Sequence, residues 1–298
     1  MRKHPVLLGL ILLIVLGAVL YFSFYRAGAR SGSVGTQSFS LNDKIGVVPV
    51  EGVISDSLEI TQVIDEFAKD SSIVAVVLRI DSPGGGVAAS QEIYDAVVEL
   101  KKKKKVVVSM GSVAASGGLL IACAGDKIVA NPGTITGSIS AIMQFANVEE
   151  LLKKVGVKSS VVKSGQYKDI GSPVREMTPE EKIIIQELID DIYNQFIDVI
   201  VRDRKLTREK VVAIGDGRVF SGRKAKEYGL VDQLGDMASA AKLASVLAGK
   251  NGKYDLVYPK KKHPSVFDYV FESAADQLSR SVAQKAEKWR GVSYLYHP

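Results

Sequence analysis

Cysteine and histidine are the scarce residues of this sequence. A single cysteine, Cys123, cannot close an intrachain disulfide. The three histidines, His4, His263 and His297, lie too far apart along 298 residues for usual metal-ligand spacing. None falls between Lys44 and Pro259, so chemistry that depends on imidazole has no donor there. Charge of one sign is also in short supply. Against 33 Asp and Glu stand 39 Lys and Arg, a formal charge of +6, and much of the excess sits in two runs, Lys101–Lys105 and Lys260–Lys262. That is not the continuous basic face of a nucleic-acid binder, and no nucleic-acid partner is expected. The first lysine run, at a helix C-terminus, reads as a solvated face. What is plentiful is apolar surface: 46% of the residues, enough for a sizeable core in one or two domains.

One long apolar run stands apart. Pro5 to Tyr25 carries no charge and as a helix would measure roughly 31 Å, the thickness of a bilayer's hydrocarbon. Ala27-Gly28-Ala29 offers the small-x-small pattern of a signal-peptide cleavage site, but the run outlasts a usual h-region and Arg26 interrupts the approach. Residues 1–26 therefore read as an uncleaved membrane anchor. Arg2 and Lys3 on one side and Arg26 and Arg30 on the other leave its orientation open on charge alone. The Gly/Ser-rich stretch within 27–43 reads as a tether. A body over 44–259 and an amphipathic tail over 260–298 follow.

Within the body, β-branched runs alternate with amphipathic stretches. Strands are expected at Ile45–Val50, Ile73–Ile80, Val106–Met110, Lys127–Ala130 and Ser159–Lys163. Helices are expected at Ser57–Lys69, Val87–Lys103, from Ala115, at Val148–Val155, from the Thr178-Pro179-Glu180-Glu181 start signal, and at Met237–Leu247. Arg218 to Gly235 reads as a strand end, a helix capped by Ser221 and stopped by Gly229, and a short strand. Ile184, Leu188, Ile192, Phe196 and Ile200 recur every four residues and are expected on a core face. Strands separated by helices indicate an α/β fold with a mainly parallel sheet.

Chemistry is expected where the backbone is forced to be small. Asp81–Gly86 reads DSPGGG directly after a strand, and Met110–Gly118 reads MGSVAASGG after another. Triple glycine lets backbone N–H groups approach a ligand. The run matches neither G-x-G-x-x-G nor a P-loop, so it gives no ground for phosphate binding. In the second segment Ser116 stands at a helix start between residues that cannot block a substrate. It either caps the helix or serves as a nucleophile, and the residues leave both open. As a nucleophile it needs N–H donors for an oxyanion and a base that is not histidine. A lysine base requires burial, because from a reference value near 10.4 only about one in 2,500 is neutral at pH 7.

The residues do not say which lysine. The chain resembles the short, single-domain form of the signal peptide peptidases, membrane-anchored serine proteases of the Clp-protease/crotonase fold. The resemblance runs through IGVVPVEGVI (45–54), RIDSPGGGV (79–87), VSMGSVAASGG (108–118), ANPGTITGSIS (130–140), SGQYKDIGSPVREMTPEE (164–181) and RVFSGRKAKEYGLVDQLG (218–235). It implies Ser116 as nucleophile, Lys168 as general base, the N–H groups of Gly85 and Gly117 as oxyanion donors, and Ser138 as the serine that orients the lysine amine. It implies no cofactor and no metal. Leu119-Leu120 departs from the tyrosines that many relatives carry after the glycines. Without the resemblance, Lys168 would read as a surface lysine paired with Asp169, and Ser138 as a turn serine bonded to backbone. Cys123 reads as a small buried apolar residue.

The same resemblance implies hydrolysis of remnant signal peptides with apolar segments, and a catalytic body outside the cytoplasm tethered to the cell membrane. It also implies a homo-oligomeric ring whose active sites combine serine from one protomer with lysine from its neighbour. The alternatives are a related Ser-Lys membrane protease that cuts a specific, stomatin-like partner, a crotonase-type acyl-CoA enzyme, and an inactive scaffold.

Overall fold

The computed structural model describes residues 42–260 and 293–295, together with the single position Gly17. The expected anchor, the tether up to residue 41 and most of the tail lie outside the described residues. Among the described residues no helix is long and apolar enough to cross a membrane.

The body is an α/β fold around one nine-stranded sheet. Strands β1 (Asp43–Ile54), β2 (Ile73–Gly86), β3 (Lys105–Ala115) and β4 (Lys127–Ala130) run parallel and adjacent. Helices α1 (Leu58–Lys69), α2 (Val87–Lys101) and α3 (Gly117–Cys123) connect them. The register aligns Val48, Leu78, Val108 and Ile128 in one row. All four point into the larger core, with Ile93 and Val97 of α2. Residues one step out of phase, Ile45, Val77, Val107 and Val129, point the opposite way. There they meet Ala240, Ala241 and Ala244 of α8 (Met237–Leu247), whose small side chains suit a helix laid close on a sheet. Apolar residues of these strands are thus buried on both faces, as a covered parallel sheet requires.

β3 changes partner along its length. Val107–Met110 pair with β4, whereas Val113–Ala115 pair with β5 (Ile135–Gly137). β5 then pairs antiparallel with β6 (Val219–Ser221). After α4 (Glu149–Lys154) the chain enters the long helix α5 (Pro179–Arg204), which starts in a capping box: Thr178 accepts from the Glu181 N–H while Glu181 accepts from the Thr178 N–H. The sequence from α6 (Arg208–Ile214) runs through α7 (Gly222–Glu227), capped by Ser221 as expected, and β7 (Gln233–Leu234) to α8. β8 (Tyr254–Val257) closes the sheet beside β1.

Several expectations need correction. Ser159–Lys163 forms no strand, and Val162 is fully exposed there. The α5 stripe is core only from Ile192 onward. Ile184 and Leu188, in the two turns before it, are 37% and 43% exposed. Lys104 is not merely solvated: its ammonium donates to the carbonyls of Phe67, at 2.6 Å, and Asp70, closing the C-terminus of α1. β2 and β3 both overrun their expected ends by five residues or more, and these overruns carry the candidate site.

Candidate active site

Ser116 stands alone between β3 and α3, with φ 53° and ψ −117°. An L-residue reaches that conformation only at a cost of about 1–3 kcal/mol, supplied by the surrounding packing. The sharp strand-to-helix turn is held by two backbone bonds: the Ser116 N–H donates to Gly137 O at 2.8 Å, and the Leu120 N–H donates to Ser116 O at 3.0 Å. The side chain is fully buried, and its Oγ has no hydrogen-bond partner among the described residues. The capping alternative fails on this point, because Ser116 occupies the N-cap position yet accepts no N–H from the first turn. A strained serine on a strand-to-helix elbow, with its hydroxyl left unspent, has the geometry expected of a nucleophile that awaits its base.

The two glycine segments meet beside it. A Cβ on Gly117 would lie 2.4 Å from Ser90 Oγ and 3.3 Å from the Gly85 nitrogen. A Cβ on Gly85 would lie 2.1 Å from the Ile54 carbonyl oxygen. Neither position has room for a side chain, and the Gly85 amide lies beside Gly117, the residue that follows Ser116. Ser82 shapes the glycine strand: its hydroxyl donates to Gly52 O at 2.6 Å and accepts from the Gly84 N–H at 3.1 Å. On the other flank, the Thr136 hydroxyl donates to Ala114 O at 2.6 Å and the Thr134 hydroxyl to Gly111 O at 2.8 Å, bracing β3 where it approaches Ser116. Sequence reasoning passed over Ser82, Ser90, Thr134 and Thr136. A hydroxyl residue beside each small-residue run was the available signal.

Ser138 also joins the site. It follows Gly137, which pairs with Ala115, and it too has φ 53°. Its N–H donates to Arg218 O at 2.8 Å, which ties the turn to the start of β6.

Lys168 is placed differently. It lies in a series of tight turns, with its N–H donating to Gly165 O at 3.2 Å, and its side chain is exposed on the single chain. It is not bonded to Ser116, whose hydroxyl is unpartnered. Nor is it paired with Asp169, as a plain surface lysine here would be. Asp169 is taken by Lys163 and by Arg175, whose Nε lies 2.9 Å from its carboxylate. Arg175 in turn reaches the buried Glu181 at the start of α5, at 2.5 and 2.8 Å. The Arg175 guanidinium, followed by Lys163, holds the Asp169 carboxyl well below the usual carboxylate range. Arg175, with the Thr178 N–H, brings Glu181 down to about 2. The loop backbone is therefore pinned while the Lys168 ammonium has no ion-pair partner among the described residues. Burial pushes the Cys123 thiol up to about 12, which suits a core residue and not a nucleophile.

The profile of peptidase family S49 matches residues 98–251, and that of Clp protease matches residues 53–135. A provisionally named protease of Synechocystis sp. is 46% identical over 215 residues, covering 70% of this chain and 76% of the relative. A provisionally named signal peptide peptidase SppA of Enterococcus faecium is 36% identical over 209 residues, covering 65% of this chain and 60% of the relative. Protease 4 of Salmonella typhi is 40% identical over 205 residues, which is 68% of this chain and 33% of the longer relative.

Proposed function

We propose how this chain works from one premise: it belongs to peptidase family S49 and is a serine protease. Ser116 is the nucleophile and Lys168 the general base. The observation that carries this reading is the strained, buried and unpartnered Ser116 hydroxyl beside two glycines. The neutral amine of Lys168 takes the Ser116 proton as Oγ attacks the scissile carbonyl, and the Gly85 and Gly117 N–H groups receive the oxyanion. The ammonium so formed passes its proton to the leaving amine when the C–N bond breaks. Water, deprotonated by the same amine, then attacks the acyl-enzyme, and the proton returns to Ser116 Oγ as the acid product leaves. Ser138 orients the amine.

The Lys168 side chain is exposed on the single chain, and a lysine base works only where burial disfavours its charged form, so a second surface has to take it out of solvent. A homo-oligomeric ring in which a neighbour's lysine completes each serine site meets that need. The Lys168 segment supports it: Val155, Val157, Val161, Val162 and Tyr167 are all exposed, as are Ile184 and Leu188 on the adjoining helix. That much apolar surface is more than scattered single residues and suits a subunit contact.

The substrates we propose are remnant signal peptides, reached from the membrane by a body anchored through residues 1–26 and lying outside the cytoplasm. Short strand β9 (Ser293–Leu295) supports an extended mode of peptide binding. It lies antiparallel on Gly84–Gly86, with Tyr294 opposite Gly85. A substrate backbone in that place would run along Gly85, one of the two proposed oxyanion donors. Profiling cleavage on a peptide library tests the substrate class: broad cutting within apolar segments supports signal-peptide digestion, and cutting of one motif alone favours a dedicated membrane-protein partner.

A further inference from the structure

Two buried side-chain oxygens among the described residues lack any hydrogen-bond partner, Ser116 Oγ and Ser90 Oγ. They adjoin the same glycine. Ser90 lies one turn into α2, directly after the glycine strand, and is fully buried. Its Oγ lies 2.4 Å from the point where a Cβ on Gly117 would sit, and the Gly85 nitrogen is 3.3 Å from that same point. A serine within a helix ordinarily turns its hydroxyl back to the carbonyl four residues earlier. Ser90 does not bond Gly86 in this way. A buried hydroxyl without a partner costs about 1–3 kcal/mol, and a fold that keeps one beside a reacting centre holds a donor in reserve.

We propose that Ser90 is a third oxyanion donor: its O–H, unspent in the resting enzyme, turns to the substrate carbonyl oxygen as that oxygen gains charge. This rests on Ser116 being the nucleophile. An O–H donor adds what a backbone amide cannot, since it rotates and so follows the oxygen as the carbonyl carbon becomes tetrahedral. No proton is transferred from Ser90, and no co-reactant is required. Ser90 also explains why position 117 must be glycine: any side chain there would displace the donor.

The test compares full-length wild type, Ser90→Ala and Ser116→Ala in detergent on a fluorogenic peptide of apolar sequence. Removing one oxyanion donor lowers turnover on the order of 100-fold. Ser90→Ala is expected to lose kcat on that scale, with KM and the pH profile unmoved. Its thermal midpoint should be equal or higher, because the variant removes an unsatisfied hydroxyl. Its affinity for a peptide aldehyde, which forms the tetrahedral adduct, should fall with kcat/KM, while its affinity for an uncleavable reduced-amide peptide stays level. Wild-type kcat in Ser90→Ala overturns the proposal. So does a fall in stability, or failure to fold, which would mark a purely structural serine. An active Ser116→Ala would instead overturn the nucleophile assignment on which it rests.

Discussion

Ser116 and Ser138 leave neighbouring parallel strands at the same level, each with φ 53°, immediately after the paired residues Ala115 and Gly137. The Ser116 N–H donates to the Gly137 carbonyl at 2.8 Å, so the two turns are tied together by backbone. The Ser116 hydroxyl has no partner within the described residues. The pairing of β3 with β5 is what sets a candidate nucleophile and a candidate lysine-orienting group side by side.

Replacing Ser138 should therefore affect the base more than the fold. Ser138→Ala is expected to lower kcat by about 10-fold or more, the order of a lost hydrogen bond to a charged group. The thermal midpoint should change little. An unchanged pH profile together with full activity would remove Ser138 from the machinery.

Gly85 has the opposite character. A methyl at this position would meet the Ile54 carbonyl oxygen at 2.1 Å, and backbone cannot move aside cheaply. Gly85→Ala is expected to cost about 1–3 kcal/mol of stability, as overpacking does, and to lower kcat as well. Chemical denaturation and steady-state kinetics on the same preparation check both.

How much of this was legible in the chain depends on whether the information is local. The strand at Lys127–Ala130, the helix at Met237–Leu247 and the Thr178 capping box were readable from periodicity and capping chemistry. The overruns of β2 through Gly84–Gly86 and of β3 through Ala115 were not, since three glycines carry no strand propensity and join the sheet through tertiary pairing, Gly84 and Gly85 with Val53 and Ile54 and all three with β9. Likewise, a serine between Ala-Ala and Gly-Gly looks like a cap. The tertiary bond to Gly137 accompanies a conformation that cap geometry excludes. Ser159–Lys163 has the composition of a strand but pairs with no strand among the described residues, and Ile184 and Leu188 keep the core period yet stay exposed. Lys168 as base came from family resemblance, because nothing in its own vicinity separates it from other surface lysines.

The Asp169–Arg175–Glu181 cluster makes an acid-range prediction. Both carboxyls are depressed in the folded protein, so their contribution is complete above the unfolded value near 4. It fades as pH falls toward about 2, where Glu181 titrates. Wild type should be more stable than Glu181→Gln at pH 7, and the gap should narrow between pH 4 and pH 2. Urea midpoints across that range decide it. A gap independent of pH would mean that the carboxylate charge is not what pins the Lys168 loop.

A site shared between protomers predicts complementation. Ser116→Ala and Lys168→Ala should each be inactive, whereas random equal mixing should restore about a quarter of wild-type activity, because a working site needs an intact serine and an intact neighbouring lysine. Recovery after verified subunit exchange is the measurement, and none at all would place both groups in one chain.

Strand β9 lies antiparallel on Gly84–Gly86, the edge on which the proposed extended substrate would pair. Removing residues 291–298 should raise kcat/KM on a fluorogenic peptide several-fold, mainly through KM, as expected when an intramolecular competitor at roughly millimolar effective concentration is lost. Unaltered KM would show that the tail does not occupy the substrate's place.

Covalent labelling with a serine-reactive phosphonate tests the Ser116–Lys168 pair most directly. Mass spectrometry of the full-length oligomer should find the adduct on Ser116 in wild type and none on Lys168→Ala over the same interval. An adduct on a different serine, or labelling of Lys168→Ala at the wild-type rate, would contradict the account.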